Sequence, residues 1–91
     1  MKIIRISAVW CSGCLVMKKI WKNIEELYPN ITYVDYDYDL DEEEIKKYNI
    51  GDIVPVNIFI KNDKEIDRLI GEKNKEDVIN MIEKVVRYEE N

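Results

Sequence analysis

The chain has 91 residues, 46% of them hydrophobic and 36% charged, and carries a net charge of -5 with a pI of about 4.8. This size and composition predict one globular domain over residues 1–91. The acidic balance argues against a nucleic-acid-binding protein, which usually shows a basic face, and against adhesion to an anionic membrane. No apolar run approaches the roughly 20 residues that span a bilayer, and the N-terminus makes a poor signal peptide, so we expect a cytoplasmic protein.

Hydrophobic periodicity predicts four strands and three helices in the order β-α-β-α-β-β-α. The predicted strands are Lys2–Ser7, Ile31–Asp37, Val56–Ile60 and Glu65–Ile70. The predicted helices begin at Cys14, Asp41 and Asn74 and end before Pro29, at Tyr48 and at about Tyr88. The first two strands and the helix between them form a parallel unit, whereas a tight turn at Asn62 and Asp63 makes the last two strands antiparallel. The sequence therefore predicts an α/β fold, with a four-stranded mixed sheet flanked by helices on both faces.

The two long predicted helices each carry one apolar face, which we expect to pack on the sheet. On the first helix this face comprises Met17, Ile20, Trp21, Ile24 and Leu27. On the last helix it comprises Val78, Ile79, Ile82, Val85 and Val86. Trp21 is therefore predicted to belong to the core rather than to a functional site.

The chain's two cysteines, Cys11 and Cys14, stand three positions apart at the junction between the first predicted strand and the first predicted helix. In a reducing compartment, a lone C-x-x-C pair is more often catalytic or metal-binding than structural. Its placement at a strand-to-helix junction favours a redox pair. A metal or iron–sulfur site is disfavoured, because two cysteines and no histidine cannot complete a tetrahedral site within one chain.

Three segments are similar to functional segments of one known family. The segment Trp10–Cys14 reads W-C-S-G-C, which resembles the W-C-x-x-C active site of the thioredoxin-like family, and Val54-Pro55 resembles the cis-proline loop that faces its disulfide. Gly71 lies sixteen residues after Pro55, about where thioredoxins carry a glycine beside the active site. The resemblance covers nearly the whole chain and implies a minimal thioredoxin fold, of glutaredoxin size, without the extra N-terminal strand and helix.

The resemblance implies a thiol-disulfide oxidoreductase that reduces protein disulfides through a Cys11/Cys14 dithiol–disulfide cycle. Its partners would be disulfide-containing protein substrates and, as electron donor, an NADPH-dependent reductase similar to thioredoxin reductase. No bound cofactor is implied, and we expect a monomer because no second apolar face is evident. The residues that the resemblance implies for substrate binding are Trp10, Ser12, Gly13, Val54, Pro55 and Gly71.

Thiol chemistry predicts different roles for the two cysteines. Cys11 is expected at the start of the first long helix, where unpaired backbone N–H groups and the helix dipole lower a thiol pKa. We therefore predict that Cys11 is the nucleophile and the exposed member of the pair. Cys14, one helical turn further along, is predicted to be more buried and to resolve the mixed disulfide by attacking it.

Two features depart from the thioredoxin pattern. The residues between the cysteines are Ser12 and Gly13 rather than Gly and Pro, and Arg5 stands where thioredoxins usually have a buried acid. Arg5 and Asp35 fall on neighbouring strands that we predict to be central, which indicates an ion pair with the charges swapped relative to the acid and lysine of thioredoxins. A buried arginine requires such a partner, because an unpaired buried charge is very costly.

Two alternative functions remain open on the sequence. A glutaredoxin-like reductase would use glutathione, although Gly71–Asn74 matches poorly the acidic, glycine-rich stretch with which glutaredoxins hold it. A redox-sensing or partner-binding module would use the disulfide as a switch, and only the seven carboxylates between Asp35 and Glu44 favour it. Such a run of charges is usually a solvated strand end and helix start.

Overall fold

The computed structural model describes residues 1–89, so residues 90 and 91 of the predicted domain lie outside the described residues. The strands are β1 (Lys2–Ser7), β2 (Thr32–Asp37), β3 (Val56–Lys61) and β4 (Lys64–Ile70). The helices are α1 (Ser12–Leu27), α2 (Glu42–Ile45) and α3 (Lys75–Arg87), and a 3-10 helix at Lys46–Tyr48 directly follows α2. Among residues 1–89, no helix is both long and apolar enough to cross a membrane.

The four strands form one mixed sheet in the order β2-β1-β3-β4, which confirms the predicted fold. Strand β1 pairs parallel with β2 and antiparallel with β3, and β4 pairs antiparallel with β3. The carboxyl end of β1 and the amino end of β3 therefore meet at the same end of the sheet, where the cysteines and Pro55 lie. The prediction that Asp35 is on a central strand is wrong, because β3 occupies the other side of β1 and leaves β2 at the edge.

Two apolar clusters cover the two faces of the sheet, because successive residues of β1 and β3 point to opposite sides. The larger cluster lies under α1 and α3 and comprises Ile3, Met17, Trp21, Ile24, Phe59, Val78, Ile82 and Val85. The smaller cluster lies under α2 and comprises Ile4, Ile6, Ile45, Val56 and Ile58. The expectation of helices on both faces is thus confirmed, with unequal cover on the two sides.

Two residues predicted on the apolar helix faces are exposed instead. Leu27 points away from the core, and Tyr28, four residues after the buried Ile24, packs against the larger cluster in its place. Val86 is exposed because adjacent helical residues lie about 100° apart, so that Val85 alone of the two faces the sheet.

The largest differences in element boundaries concern α1 and α2. Helix α1 begins at Ser12, two residues before the predicted start, because the Cys11 side chain caps it by accepting the Cys14 N–H. The predicted helix from Asp41 to Tyr48 is divided into α2 and a 3-10 helix, and Asn49 ends it in the left-handed conformation. The turn between β3 and β4 is as predicted, with positive φ at its two central residues.

Candidate active site

Cys11 and Cys14 are joined by a disulfide at the start of α1, with their Cα atoms 5.3 Å apart. Cys11 is the N-cap residue of α1 and has an extended backbone, with φ of -94° and ψ of 110°. Its Sγ accepts a hydrogen bond from the Cys14 backbone N–H at 3.1 Å. A helix N-terminus presents unpaired N–H groups and a partial positive charge, so it stabilises negative charge on a capping sulfur.

The two cysteines differ in exposure in the opposite sense from the prediction. Cys11 is buried, with 9% of its surface exposed, whereas Cys14 is partly exposed. Cys11 is covered because it lies against the loop that precedes β3, where its Sγ is 3.5 Å from the Val54 carbonyl oxygen. The prediction that Cys11 is the more exposed cysteine is therefore wrong.

The loop before β3 contains a cis peptide bond between Val54 and Pro55. The Pro55 carbonyl accepts a hydrogen bond from the Gly71 N–H at 2.8 Å, which ties the start of β3 to the end of β4. Gly71 has a φ of +89°, a conformation that residues with a Cβ rarely adopt. The structure thus brings Val54, Pro55 and Gly71 to the same end of the sheet as the disulfide.

Gly13 lies in close contact with Glu72, a residue that the sequence reasoning missed. A Cβ atom added at Gly13 would lie 3.2 Å from both Cβ and Oε1 of Glu72, and 3.6 Å from Cδ of Pro55. Glycine at this position therefore allows the Glu72 side chain to approach the turn between the cysteines. The only sequence signal was an acidic residue directly after Gly71. Ser12, by contrast, is exposed.

Trp10 stands at the edge of the site with 60% of its surface exposed. Its indole Nε1 donates a hydrogen bond to Oδ2 of Asp39 at 2.7 Å, and its ring packs edge-on against Tyr38 at a centroid distance of 6.0 Å. These two contacts fix the orientation of the indole beside Cys11. Asp39 belongs to the acidic run between Asp35 and Glu44, although its contact with Trp10 was not predicted.

The predicted pair of Arg5 and Asp35 is present. Arg5 Nε and Nη2 donate to the two carboxylate oxygens of Asp35 at 2.6 and 2.9 Å, and Nη1 lies 3.3 Å from Glu25. The guanidinium also sits 5.1 Å from the Trp21 ring centroid and 4.9 Å from that of Tyr33. Burial lowers the pKa of Arg5, but the hydrogen bonds and charges of the two carboxylates outweigh it and raise that pKa above its usual value.

A cavity of about 630 Å³ connects the disulfide with the arginine pair. Its lining includes Cys11, Cys14, Pro55, Arg5, Asp35 and Asn57. Arg5 and Asn57 are direct neighbours across β1 and β3, and Asn57 is buried. Within residues 1–89, no group of three or more His, Cys, Asp or Glu side chains is placed to hold a metal ion.

Comparisons with known proteins agree with this geometry. A family model described as Thioredoxin matches residues 1–84. Thioredoxin H5 of Oryza sativa subsp. japonica is 33% identical over 85 residues; the match covers 93% of this chain but 62% of the rice protein, less than two thirds of its length. Reduced thioredoxin pre-protein of Schistosoma mansoni has a TM-score of 0.82 at 31% identity, with 92% of this chain and 77% of that one covered. Fasciola hepatica thioredoxin has a TM-score of 0.83 at 26% identity, with 91% of this chain and 78% of that one covered.

Proposed function

This chain belongs to the thioredoxin family of protein-disulfide oxidoreductases, and we propose that it reduces disulfides of protein substrates by cycling Cys11 and Cys14 between a dithiol and a disulfide. The observation that carries this proposal is the position of Cys11 at the N-cap of α1, where its sulfur accepts the Cys14 N–H. That position stabilises the thiolate, which is the reactive form of a cysteine. Residues 1–91 act as one domain in this proposal.

Reduction begins when the Cys11 thiolate attacks one sulfur of the substrate disulfide. A bond forms between Cys11 and that sulfur, the substrate S–S bond breaks, and the other substrate sulfur leaves as a thiolate that takes a proton from solvent. The 3.5 Å contact between Cys11 Sγ and the Val54 carbonyl supports this role, because it sets the attacking sulfur beside the loop that binds substrate in this proposal.

Cys14 resolves the mixed disulfide in the second step. Its thiolate attacks Cys11 Sγ, the Cys11–Cys14 bond forms, and the remaining substrate sulfur leaves as a thiolate. Two electrons have then passed from the cysteine pair to the substrate. The product of this step is the disulfide of the structure, whose Cα separation of 5.3 Å is within the range that a disulfide requires.

Substrate binding is assigned to the surface around the disulfide. An extended substrate segment pairs with the backbone of Val54, beside Pro55, in the manner of an added strand. Trp10 offers an exposed aromatic face on one side, and the turn at Ser12 and Gly13 forms the surface next to it, with Ser12 exposed. Gly71 supports this surface through its hydrogen bond to the Pro55 carbonyl.

The electron donor in this proposal is an NADPH-dependent reductase similar to thioredoxin reductase, and no cofactor is bound by the chain itself. Family membership supports this choice, and none of the relatives named above favours the glutathione-dependent alternative. The protein is proposed to act in the cytoplasm as a monomer, without nucleic-acid or membrane partners.

The test is reduction of insulin disulfides under a limiting dithiol, with the wild type, Cys11→Ser, Cys14→Ser and the double variant compared at equal concentration. We expect turnover by the wild type, none above background by Cys11→Ser, and a trapped mixed disulfide with Cys14→Ser that mass spectrometry detects. The double variant gives the background rate of the dithiol.

Two results would count against the proposal. Absence of turnover by a folded and fully reduced wild type would reject the general protein-disulfide reductase. A mixed disulfide that accumulates on Cys14 in the Cys11→Ser variant, at the rate seen for Cys11, would reject the assigned order of the two thiols.

A further inference from the structure

Glu72 places a carboxylate directly over the turn between the two cysteines. Its Cβ and Oε1 would both lie 3.2 Å from a Cβ atom at Gly13, on the side where Pro55 Cδ would lie at 3.6 Å. Gly13 and Pro55 both belong to the surface that binds substrate in the proposed function. Glu72 therefore stands at the point where a substrate segment would cross the redox turn.

The Glu72 carboxylate has no cation of its own within the described part of the chain. Among residues 1–89 it makes no hydrogen bond or ion pair, and its side chain is exposed. Lys73, the next residue, lines a separate depression together with Asp77 and Lys84 on α3. The charge of Glu72 is thus available to a partner that approaches the disulfide.

A second carboxylate, Asp39, lies beside Trp10 but is already engaged with the indole N–H. The chain as a whole is also acidic, with a net charge of -5. The acidic chain therefore repels an approaching anion, whereas a cation near the attacked sulfur meets the Glu72 carboxylate beside Gly13. Complementary charges at a contact favour association and suppress partners of like charge.

We propose that Glu72 is a specificity-determining residue, which favours substrates that carry a lysine or arginine next to the cysteine under attack. This inference rests on the proposed function, because it concerns which disulfides the Cys11/Cys14 pair reduces. Glu72 acts by direct contact with the substrate side chain. Gly13 supports the same contact, since a Cβ atom there would come within 3.2 Å of the Glu72 side chain and shift it.

The test uses three symmetric disulfide-linked dimers of a short peptide that differ only in the residue after the cysteine, which is Lys, Ser or Glu. For each peptide, kcat/KM is divided by the rate constant for reduction by dithiothreitol, so that the intrinsic reactivity of the peptide disulfide cancels. The wild type is compared with Glu72→Gln, with Glu72→Lys and with Glu26→Gln. Glu26 is a matched control, since it is an exposed carboxylate at the far end of α1 and its change alters net charge equally.

We expect the wild type and Glu26→Gln to prefer the Lys peptide over the Glu peptide by about five- to tenfold at low salt. Glu72→Gln should lose most of this preference, and Glu72→Lys should reverse it. Added salt should reduce the wild-type preference, because the groups are exposed. Any general effect of Glu72 on thiolate reactivity cancels in the ratio between the two peptides.

An unchanged preference in Glu72→Gln, with all three peptides still reduced, would overturn the role of Glu72 and leave the reductase intact. Equal loss of preference in Glu26→Gln would also overturn it, because net charge alone would then explain the selectivity. Failure of the wild type to reduce any of the three peptides or insulin would overturn both this inference and the proposed function.

Discussion

Arg5 keeps a full charge at a mostly buried position because four side chains surround its guanidinium. The side chain is 14% exposed, and both of its carboxylate partners, Asp35 and Glu25, are much more exposed. A planar guanidinium can make two parallel hydrogen bonds to Asp35 and stack against aromatic rings at the same time, which an ammonium group cannot do. The partners thus offset the cost of removing the charge from water.

Arg5→Lys should therefore destabilise the protein although it conserves the charge. We expect a loss of about 1–3 kcal/mol in the free energy of unfolding, from the lost bidentate hydrogen bonds and ring contacts. Urea denaturation measures this loss as a lower midpoint at an unchanged m value. Arg87→Lys on the exposed end of α3 is the matched control, and equal midpoints for both variants would show that the geometry of Arg5 is not stabilising.

Individual side chains were predictable where the signal is local. The cysteine pair follows from local spacing, whereas the expectations for Trp10 and for the pair of Arg5 with Asp35 came from the resemblance to thioredoxins. The burial of Cys11 was not predictable, because its cover comes from the Val54 loop, which lies 43 residues later in the chain. Glu72 was missed for the same reason, since its contact with Gly13 joins two segments that are distant in sequence.

A lysine from the sheet caps the C-terminal end of α3. Lys61 Nζ, at the end of β3, donates to the carbonyl oxygens of Val85, Val86 and Tyr88 at 3.1, 2.7 and 2.9 Å. The last carbonyls of a helix lack partners within the helix and carry partial negative charge, so a cation there stabilises the end. The contact also joins α3 to a central strand.

Lys61→Met keeps much of the apolar stem but removes the ammonium group. We expect a loss of about 1–2 kcal/mol in the free energy of unfolding and faster amide hydrogen exchange in the last turn of α3. The control is Lys22→Met, an exposed lysine on α1. Exchange rates in the last turn that equal those of the wild type would show that Lys61 does not hold the helix end.

A second link joins β4 to α3 and depends on pH. Lys84 Nζ donates to Asp67 at 2.6 Å, and this hydrogen bond, together with the backbone N–H of Arg68, lowers the pKa of Asp67 below its usual value. A carboxyl group whose pKa is lower in the folded state stabilises that state above the unfolded pKa. The stabilisation is lost as pH falls through the folded pKa.

Lys84→Met should be less stable than the wild type at pH 7, by up to about 1 kcal/mol because the pair is partly exposed to solvent. The difference should shrink as the pH falls from about 4, the ordinary pKa of an unfolded aspartate, through the lower pKa of Asp67 in the folded state. Urea midpoints from pH 7 to pH 3 measure both quantities, with Lys47→Met as a control for an exposed pair outside this link. A difference that stays constant over this range would contradict the assignment to Asp67.

The boundaries of helices and strands were predictable to within about two residues wherever the periodic hydrophobic pattern extended over many residues. The exceptions depend on contacts that periodicity does not encode. Helix α1 starts early because a sulfur atom caps it, and Cys is not among the residues that usually signal an N-cap. Helix α2 continues as one 3-10 turn, which ends where Asn49 adopts a left-handed conformation with φ of 52°.

The two faces of the sheet are covered to very different extents. Helices α1 and α3 span 16 and 13 residues on one face, whereas α2 spans 4 residues on the other and adds one buried side chain, Ile45. Local stability follows the amount of buried apolar contact that an element makes. The α2 face is therefore expected to be the less stable side of the molecule.

Native-state hydrogen exchange should resolve this asymmetry. We expect the amides of α2 and the 3-10 helix, residues 42–48, to exchange through local opening. The free energy of this opening should be a small fraction of the global free energy of unfolding. The amides of β1 and β3 should exchange only through global unfolding, since both strands are central and largely buried. Protection of residues 42–48 equal to that of β1 would contradict this prediction.

The topology itself was predictable because element order, turn chemistry and the resemblance to thioredoxins agree. Parallel pairing of β1 with β2 follows from the helix that connects them, and the antiparallel hairpin follows from Asn62 and Asp63. The lateral position of β2 was predicted wrongly, because strand order within a sheet is set by long-range pairing that local periodicity does not report.

The register of β1 against β3 also bears on how the protein can be attached to a support. Lys2 pairs with Ile60, and Lys61 contacts the carbonyls at the end of α3. Both ends of the described chain therefore lie at the end of the sheet that is opposite the disulfide. A tether fixed at residue 1 or at residue 89 would leave the cysteines facing solution. A tether fixed at the exposed Leu40, adjacent to the partner of Trp10, would instead lie at the same end of the sheet as the cysteines.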